Sequence, residues 1–141
     1  FEGFTKLYNA LMLGESGLSK LEREMIAVTV SSENHCYYCL VAHGSAVREL
    51  SNDPQLGERI AANFRSAELP RKQEKLLEFA KKLTRDPSEI KEKDRDELRE
   101  VGYLDRDIWD ISAIVGLFNM TNRMASATEM EPNENYHNLA R

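Results

Sequence analysis

The chain has 141 residues, 24 acidic against 19 basic, a net charge of −5 and 41% hydrophobic residues. That is enough for one domain with one sizeable core and excludes collagen-like, repeat and disordered chains. The acidic balance excludes a general nucleic-acid binder, which needs a basic footprint, and no apolar run reaches the ~20 residues of a membrane span.

The longest apolar candidate, residues 111–120, is interrupted by Ser112, Gly116 and Asn119. No secretory signal is expected from these residues. A start at Phe1 is expected where upstream sequence is missing or a leader has been removed. The cysteine usage fits a cytoplasmic protein.

The reading is helical nearly throughout. Phe4, Leu7, Tyr8 and Leu11 recur at helical spacing, and the segment from Gly14 to Gly17 breaks the run. Ser19, followed three residues later by Glu22, is a capping box opening a second helix. Met25 to Val30 carries no charge and is apolar nearly all round, as a buried helix is. Its β-branched residues Ile26, Val28, Thr29 and Val30 make a strand the competing assignment, which the caps and the length oppose.

Asn34 is placed to cap the next helix, Cys36 to Leu50, which Asn52-Asp53-Pro54 ends. A short helix follows over about 56–66, closed by Leu69-Pro70, and residues 73–84 are amphipathic. The stretch 86–100 is dense in both charge signs and reads as a solvated helical face with Gly102 at its C-cap. Asp105 then caps a long helix to about Thr128, apolar from Ile108 and Trp109 through Met124 on almost every side. A chain of this size has difficulty burying such a helix alone, so it is expected to form a subunit interface. From about 129 the chain is polar and expected to be a loop or tail. The expectation is one all-α domain over 1–141, of about six helices.

Only two cysteines are present, Cys36 and Cys39. A secreted disulfide scaffold uses more and joins distant segments. A bridge at this spacing closes so short a loop that it constrains the unfolded chain little, which points to chemistry instead. On a helix, residues three apart have Cα atoms about 5 Å apart, inside the ~4.4–6.8 Å that a disulfide requires. Cys36, Cys39, Leu40, His43, Val47 and Leu50 share one helical face, so both thiols and the imidazole face the core. A helix N-terminus favours thiolate, most at Cys36, while His43, one turn beyond Cys39, can take or return a proton. Glu24 lies beside the uncharged run. A dry carboxylate there would be a proton relay; otherwise it is a first-turn charge.

The pattern Glu24, Cys36, Cys39, His43 resembles the proton-relay signature of AhpD-like alkylhydroperoxidases. Leu18 to Ala27 and Cys39 to His43 look like the core of the wider carboxymuconolactone decarboxylase family, best matched over 19–50. Phe118-Asn119 and Asn122-Arg123 resemble the last-helix pattern of its peroxidase-related branch. The resemblance implies an all-helical fold that assembles as homo-oligomers and a cysteine peroxidase needing no cofactor. Cys39 would attack the peroxide, Cys36 would resolve it, and Glu24 and His43 would relay protons. A hydroperoxide is then the substrate, and an external dithiol or thioredoxin-like protein the reductant.

One departure stands out: AhpD proper has histidine immediately before the second cysteine, where this chain has Tyr38. Tyr38 and His35 are therefore supporting candidates. Two alternatives stay open. One is a metal site at His35, Cys36, Cys39 and His43, crowded into nine residues where zinc sites draw on separated segments. The other is a non-redox, decarboxylase-like enzyme using His43 as base. Asn119, Asn122 and Arg123 read as partners for buried polar groups between helices.

Overall fold

The computed structural model describes residues 1–141 as helices joined by short turns, with no strand. The α-helices are α1 (Glu2–Leu13), α2 (Lys20–Glu33), α3 (Tyr37–Ser51), α4 (Leu56–Asn63), α5 (Arg71–Arg85), α6 (Glu92–Glu100), α7 (Asp105–Ala127) and α8 (Glu134–Asn138). They number eight against the about six expected. The charged stretch yields one α-helix, α6, after a separate 3-10 turn at Pro87–Glu89. The segment after residue 129, read as loop or tail, folds its residues 134–138 into α8 and lays them on α3.

The uncharged run becomes the central helix. Residues 25–31 of α2 are all buried, and α1, α3, α4, α5 and α7 pack around it. This settles helix over strand: β-branched side chains suit a helix surrounded on every side, where packing overrides propensity. Its start is the expected capping box. Glu22 N donates to Ser19 Oγ at 3.0 Å, and Ser19 N donates to Glu22 Oε1 at 2.9 Å. Glu22 is buried, and its other oxygen accepts from the Tyr103 hydroxyl.

Arg23 is buried without a carboxylate partner. It donates to Leu18 O from Nε and Nη2 at 3.2 and 3.0 Å, and to Leu11 O at 3.2 Å. Leu11 O is one of the last carbonyls of α1, which lacks an intrahelical partner, so the guanidinium fastens α1 onto α2.

Two expected caps move. Asn34 ends α2 rather than starting α3. Leu104 precedes α7, and its N–H is held by Asp107 Oδ2 at 2.8 Å rather than by Asp105. Gly17 makes room for this cap: a Cβ there would stand 2.1 Å from Asp107 Oδ1. Gly102, at φ +104, follows α6 in the left-handed conformation, with Tyr103 N bonded to Leu98 O at 3.1 Å and Gly102 N to Arg99 O at 2.9 Å. That is the Schellman termination. No helix is long and apolar enough to cross a membrane.

Candidate active site

The turn between α2 and α3 sets the position of the first thiol. Cys36 N donates to Ser31 O at 3.0 Å and His35 N to Ser32 O at 3.2 Å, with His35 at φ 53. This is again a Schellman termination, with His35 in the left-handed place usually given to glycine. Cys36 is thus the residue that closes α2 and the N-cap of α3, at φ −90 and ψ 100. It stands just outside the helix, and its carbonyl accepts the first helical bond, from Leu40 N at 2.9 Å.

His35 is exposed, and its role is in the backbone of the turn. It does not join the site. Leu50, expected on the inward face, is also exposed. The metal reading gains no support, because no three His, Cys, Asp or Glu side chains gather where they could hold an ion.

Cys36 and Cys39 are free thiols, each only 2% exposed, packed with Ala125 of α7 and with Tyr38. Burial pushes the Cys39 thiol up to about 12, and its hydrogen bond with Cys36 adds to the rise. Ser31 and Asn122 oppose it.

Glu24 and His43 meet across the α2–α3 seam, His43 Nδ1 lying 2.6 Å from Glu24 Oε2. Their side chains are 15% and 13% exposed, which places the pair at the edge of the core. With Glu24 ionised, Nδ1–H is the donor and Nε2 remains available for proton transfer. Phe118 fixes the imidazole plane by an edge contact, centroids 4.7 Å apart at 77°. Glu24 thus has His43 as its hydrogen-bond partner.

Phenols close the remaining sides. Tyr8 comes from α1, and burial, then Glu24, pushes its hydroxyl up to about 12. Tyr38 is raised by burial and by Tyr136 of α8. Arg48, buried on α3, holds α8 in place: Nε donates to Leu139 O at 2.9 Å and Nη2 to Tyr136 O at 2.7 Å. The main surface depressions lie elsewhere. The one between Arg65, Lys75, Lys82 and Asp94 is lined by paired charges and holds none of these side chains.

A polar chain approaches the thiols from α7. Asn34 Nδ2 donates to Asn119 Oδ1 and Asn122 Oδ1, both at 2.9 Å, and Asn122 Nδ2 donates to Ser31 Oγ at 2.9 Å. Asn119 and Asn122 do satisfy polar groups between helices, as their sequence context suggests. The proximity of Asn122 and Ser31 to Cys39 was not legible. The available signal was a polar residue on each of two helices otherwise apolar nearly all round.

The all-helical fold, which here carries a buried thiol pair and a carboxylate–imidazole contact, is AhpD-like. The sequence model of the carboxymuconolactone decarboxylase family matches residues 1–86, and the chain belongs to that family. It is similar to an uncharacterized peroxidase-related protein from Silicibacter sp. TM1040, at 62% identity over 99% of this chain and 73% of that one, TM-score 0.98. It is also similar to the alkylhydroperoxidase AhpD core, an uncharacterized peroxidase-related protein, from Ralstonia eutropha JMP134. There the identity is 41%, over 99% of this chain and 74% of that one, with a TM-score of 0.97. The fold recurs in a putative antioxidant defence protein AhpD from Agrobacterium tumefaciens, at 21% identity over 94% and 90% of the two chains, TM-score 0.83. No curated protein sequence matches. Family and neighbours support an alkylhydroperoxidase-like oxidoreductase at that coarse level.

Proposed function

We propose that the protein reduces hydroperoxides through a cycle of Cys39 and Cys36. The observation that carries this reading is the Glu24–His43 pair at 2.6 Å beside two free, buried thiols one helical turn apart. Cys39 thiolate attacks the terminal peroxide oxygen, the O–O bond breaks, and an alkoxide leaves. His43 Nε2 takes up the Cys39 thiol proton beforehand, Glu24 steadies the imidazolium so formed, and the same proton then converts the alkoxide to alcohol and leaves the imidazole neutral. Cys39 is now a sulfenic acid. The Cys36 thiol displaces its hydroxyl, giving a disulfide and water. An external dithiol or thioredoxin-like protein returns both sulfurs to thiols by exchange and is itself oxidised. A reducing, cytoplasmic compartment and self-association through α7 belong to the same reading.

The test is thiol counting around one equivalent of an organic hydroperoxide. We expect two titratable thiols before, none after, and both again after treatment with a dithiol. Cys39→Ser should not react. Cys36→Ser should react once and stop as a sulfenic acid that a dimedone-type trap labels at Cys39. Two thiols still titratable after peroxide, in folded protein, would remove the reading. Label on Cys36 in the Cys39→Ser protein, with none on Cys39 in the Cys36→Ser protein, would reverse the two roles. Under the decarboxylase-like alternative, a variant lacking both thiols would keep its activity.

A further inference from the structure

Of the two thiols, only Cys39 has its backbone inside a helix. Cys36 stands one residue before α3, so the turn over residues 31–36 decides where its sulfur lies. Two backbone bonds close that turn, Cys36 N to Ser31 O at 3.0 Å and His35 N to Ser32 O at 3.2 Å. It also carries a left-handed residue that is not glycine, His35 at φ 53, whose side chain is exposed. Such a conformation persists where the surroundings fix it.

The groups that fix it come from α7. Asn122 is 1% exposed and grips the turn at two places. Its Nδ2 donates to Ser31 Oγ, where the turn begins, and its Oδ1 accepts from Asn34 Nδ2, next to His35, each at 2.9 Å. The other proton of Asn34 Nδ2 goes to Asn119 Oδ1, also at 2.9 Å. Asn119 is tied to its own helix: its Nδ2 donates to Val115 O at 3.0 Å, and Arg123 Nη1 donates to its Oδ1 at 3.1 Å. Both protons of the Asn34 amide are thus used, and a flipped amide would turn its oxygen on two acceptors. On the same helix, Ala125 packs against both cysteines and Phe118 against the His43 ring.

We infer that Asn34, Asn119 and Asn122 form a clamp that fixes the turn before α3 and holds the Cys36 sulfur within bonding reach of Cys39. The three are positioning residues for closure of the disulfide. This rests on the dithiol cycle above and accounts for its second step. The turn is ordered when the protein folds, so less freedom is lost when the S–S bond forms. The helical backbone does this for Cys39; nothing but the turn does it for Cys36.

The test is an equilibrium of the whole chain with oxidised and reduced dithiothreitol at pH 7. Cys36 and Cys39 give up two protons and two electrons and form one S–S bond, while the S–S bond of the cyclic reagent opens to two thiols. The reagent ratio at half oxidation gives the equilibrium constant. Asn34→Ala should lower that constant about tenfold, because a turn freed of its side-chain bonds closes less readily. Asn119→Leu should lower it as well. Asn119→Asp should keep the parent value, because a carboxylate oxygen still accepts from Asn34 Nδ2. A loss of packing alone would lower the thermal midpoint and leave the constant where it was. A constant unchanged or raised in folded Asn34→Ala, or equal in the two Asn119 variants, would overturn the clamp. If Asn34→Ala does not fold, the two Asn119 variants decide. No peroxide enters this equilibrium, so a shifted constant without peroxide turnover upholds the clamp and removes only the substrate class. A parent protein that stays reduced at every ratio would overturn the clamp and the dithiol cycle together.

Discussion

His43 and Glu24 come from different helices, so their 2.6 Å contact exists only while α2 and α3 stay packed. Glu24→Gln leaves a side chain that can still bond to Nδ1 but cannot stabilise an imidazolium. His43→Gln removes the acid itself. Both should slow the peroxide step by about 10²–10⁴, the usual span for general acid–base groups, while a strong oxidant still closes the disulfide. Stopped-flow loss of thiol measures the first effect and thiol counting after diamide the second. His35→Gly should leave the peroxide rate unchanged, because His35 serves only the left-handed turn and glycine accepts that conformation without strain. A large loss of rate in His35→Gly would return His35 to the site. Spacing on one helix made Cys36, Cys39 and His43 legible in the sequence. The link from Glu24 to His43 needed the resemblance, since no periodicity within one helix reports a partner on another. Ser31 and Tyr8 were illegible for the same reason: they stand on helices other than the one that carries Cys39 and His43.

At the scale of elements, α2 and α7 look alike in sequence, each apolar nearly all round, yet they end differently. α2 is enclosed by five helices. α7 buries Ile111, Ile114, Val115 and Phe118 against the core but leaves a stripe outside: Trp109 at 77% exposure, then Gly116, Met120 and Met124. Hydrophobicity shows which helices have apolar faces, while tertiary packing determines how many faces the chain can cover. Terminations were legible where glycine carried them, as at Gly102, and not where His35 or Glu129 takes the left-handed place. We expect the α7 stripe to pair with a second copy, where exposed Gly116 lets two helices approach closely. Trp109 is the only tryptophan and therefore reports on this directly. Its emission should shift to shorter wavelength as concentration rises, together with a light-scattering mass above 16.2 kDa. A monomer at micromolar concentration with red, invariant emission would leave the stripe unpartnered.

Across the whole molecule, the buried groups that hold protons most tightly lie around α2. Cys39 is raised from 9.0 and Tyr8 from 10.0, each to about 12, chiefly by burial. Tyr103 is raised too, by burial first and then by its hydrogen bond to Glu22. All three are neutral when protonated, so the folded state keeps protons that the unfolded chain releases. Below about pH 9 both states are protonated and the stabilisation is fully present. Above it the unfolded chain binds fewer protons, and by linkage stability falls with pH until the folded groups titrate near 12. The urea midpoint should therefore hold between pH 7 and 8.5 and decline steadily from 9 to 11, with a dithiol present to keep both sulfurs reduced. Tyr103→Phe separates the contributions. It should lower the midpoint at pH 7, because buried Glu22 loses its donor, yet flatten the alkaline decline, because one proton-holding group is gone. A midpoint constant to pH 11 in the parent protein, or an equally steep decline in Tyr103→Phe, would mean that these hydroxyls and the thiol ionise in the folded state as readily as in water.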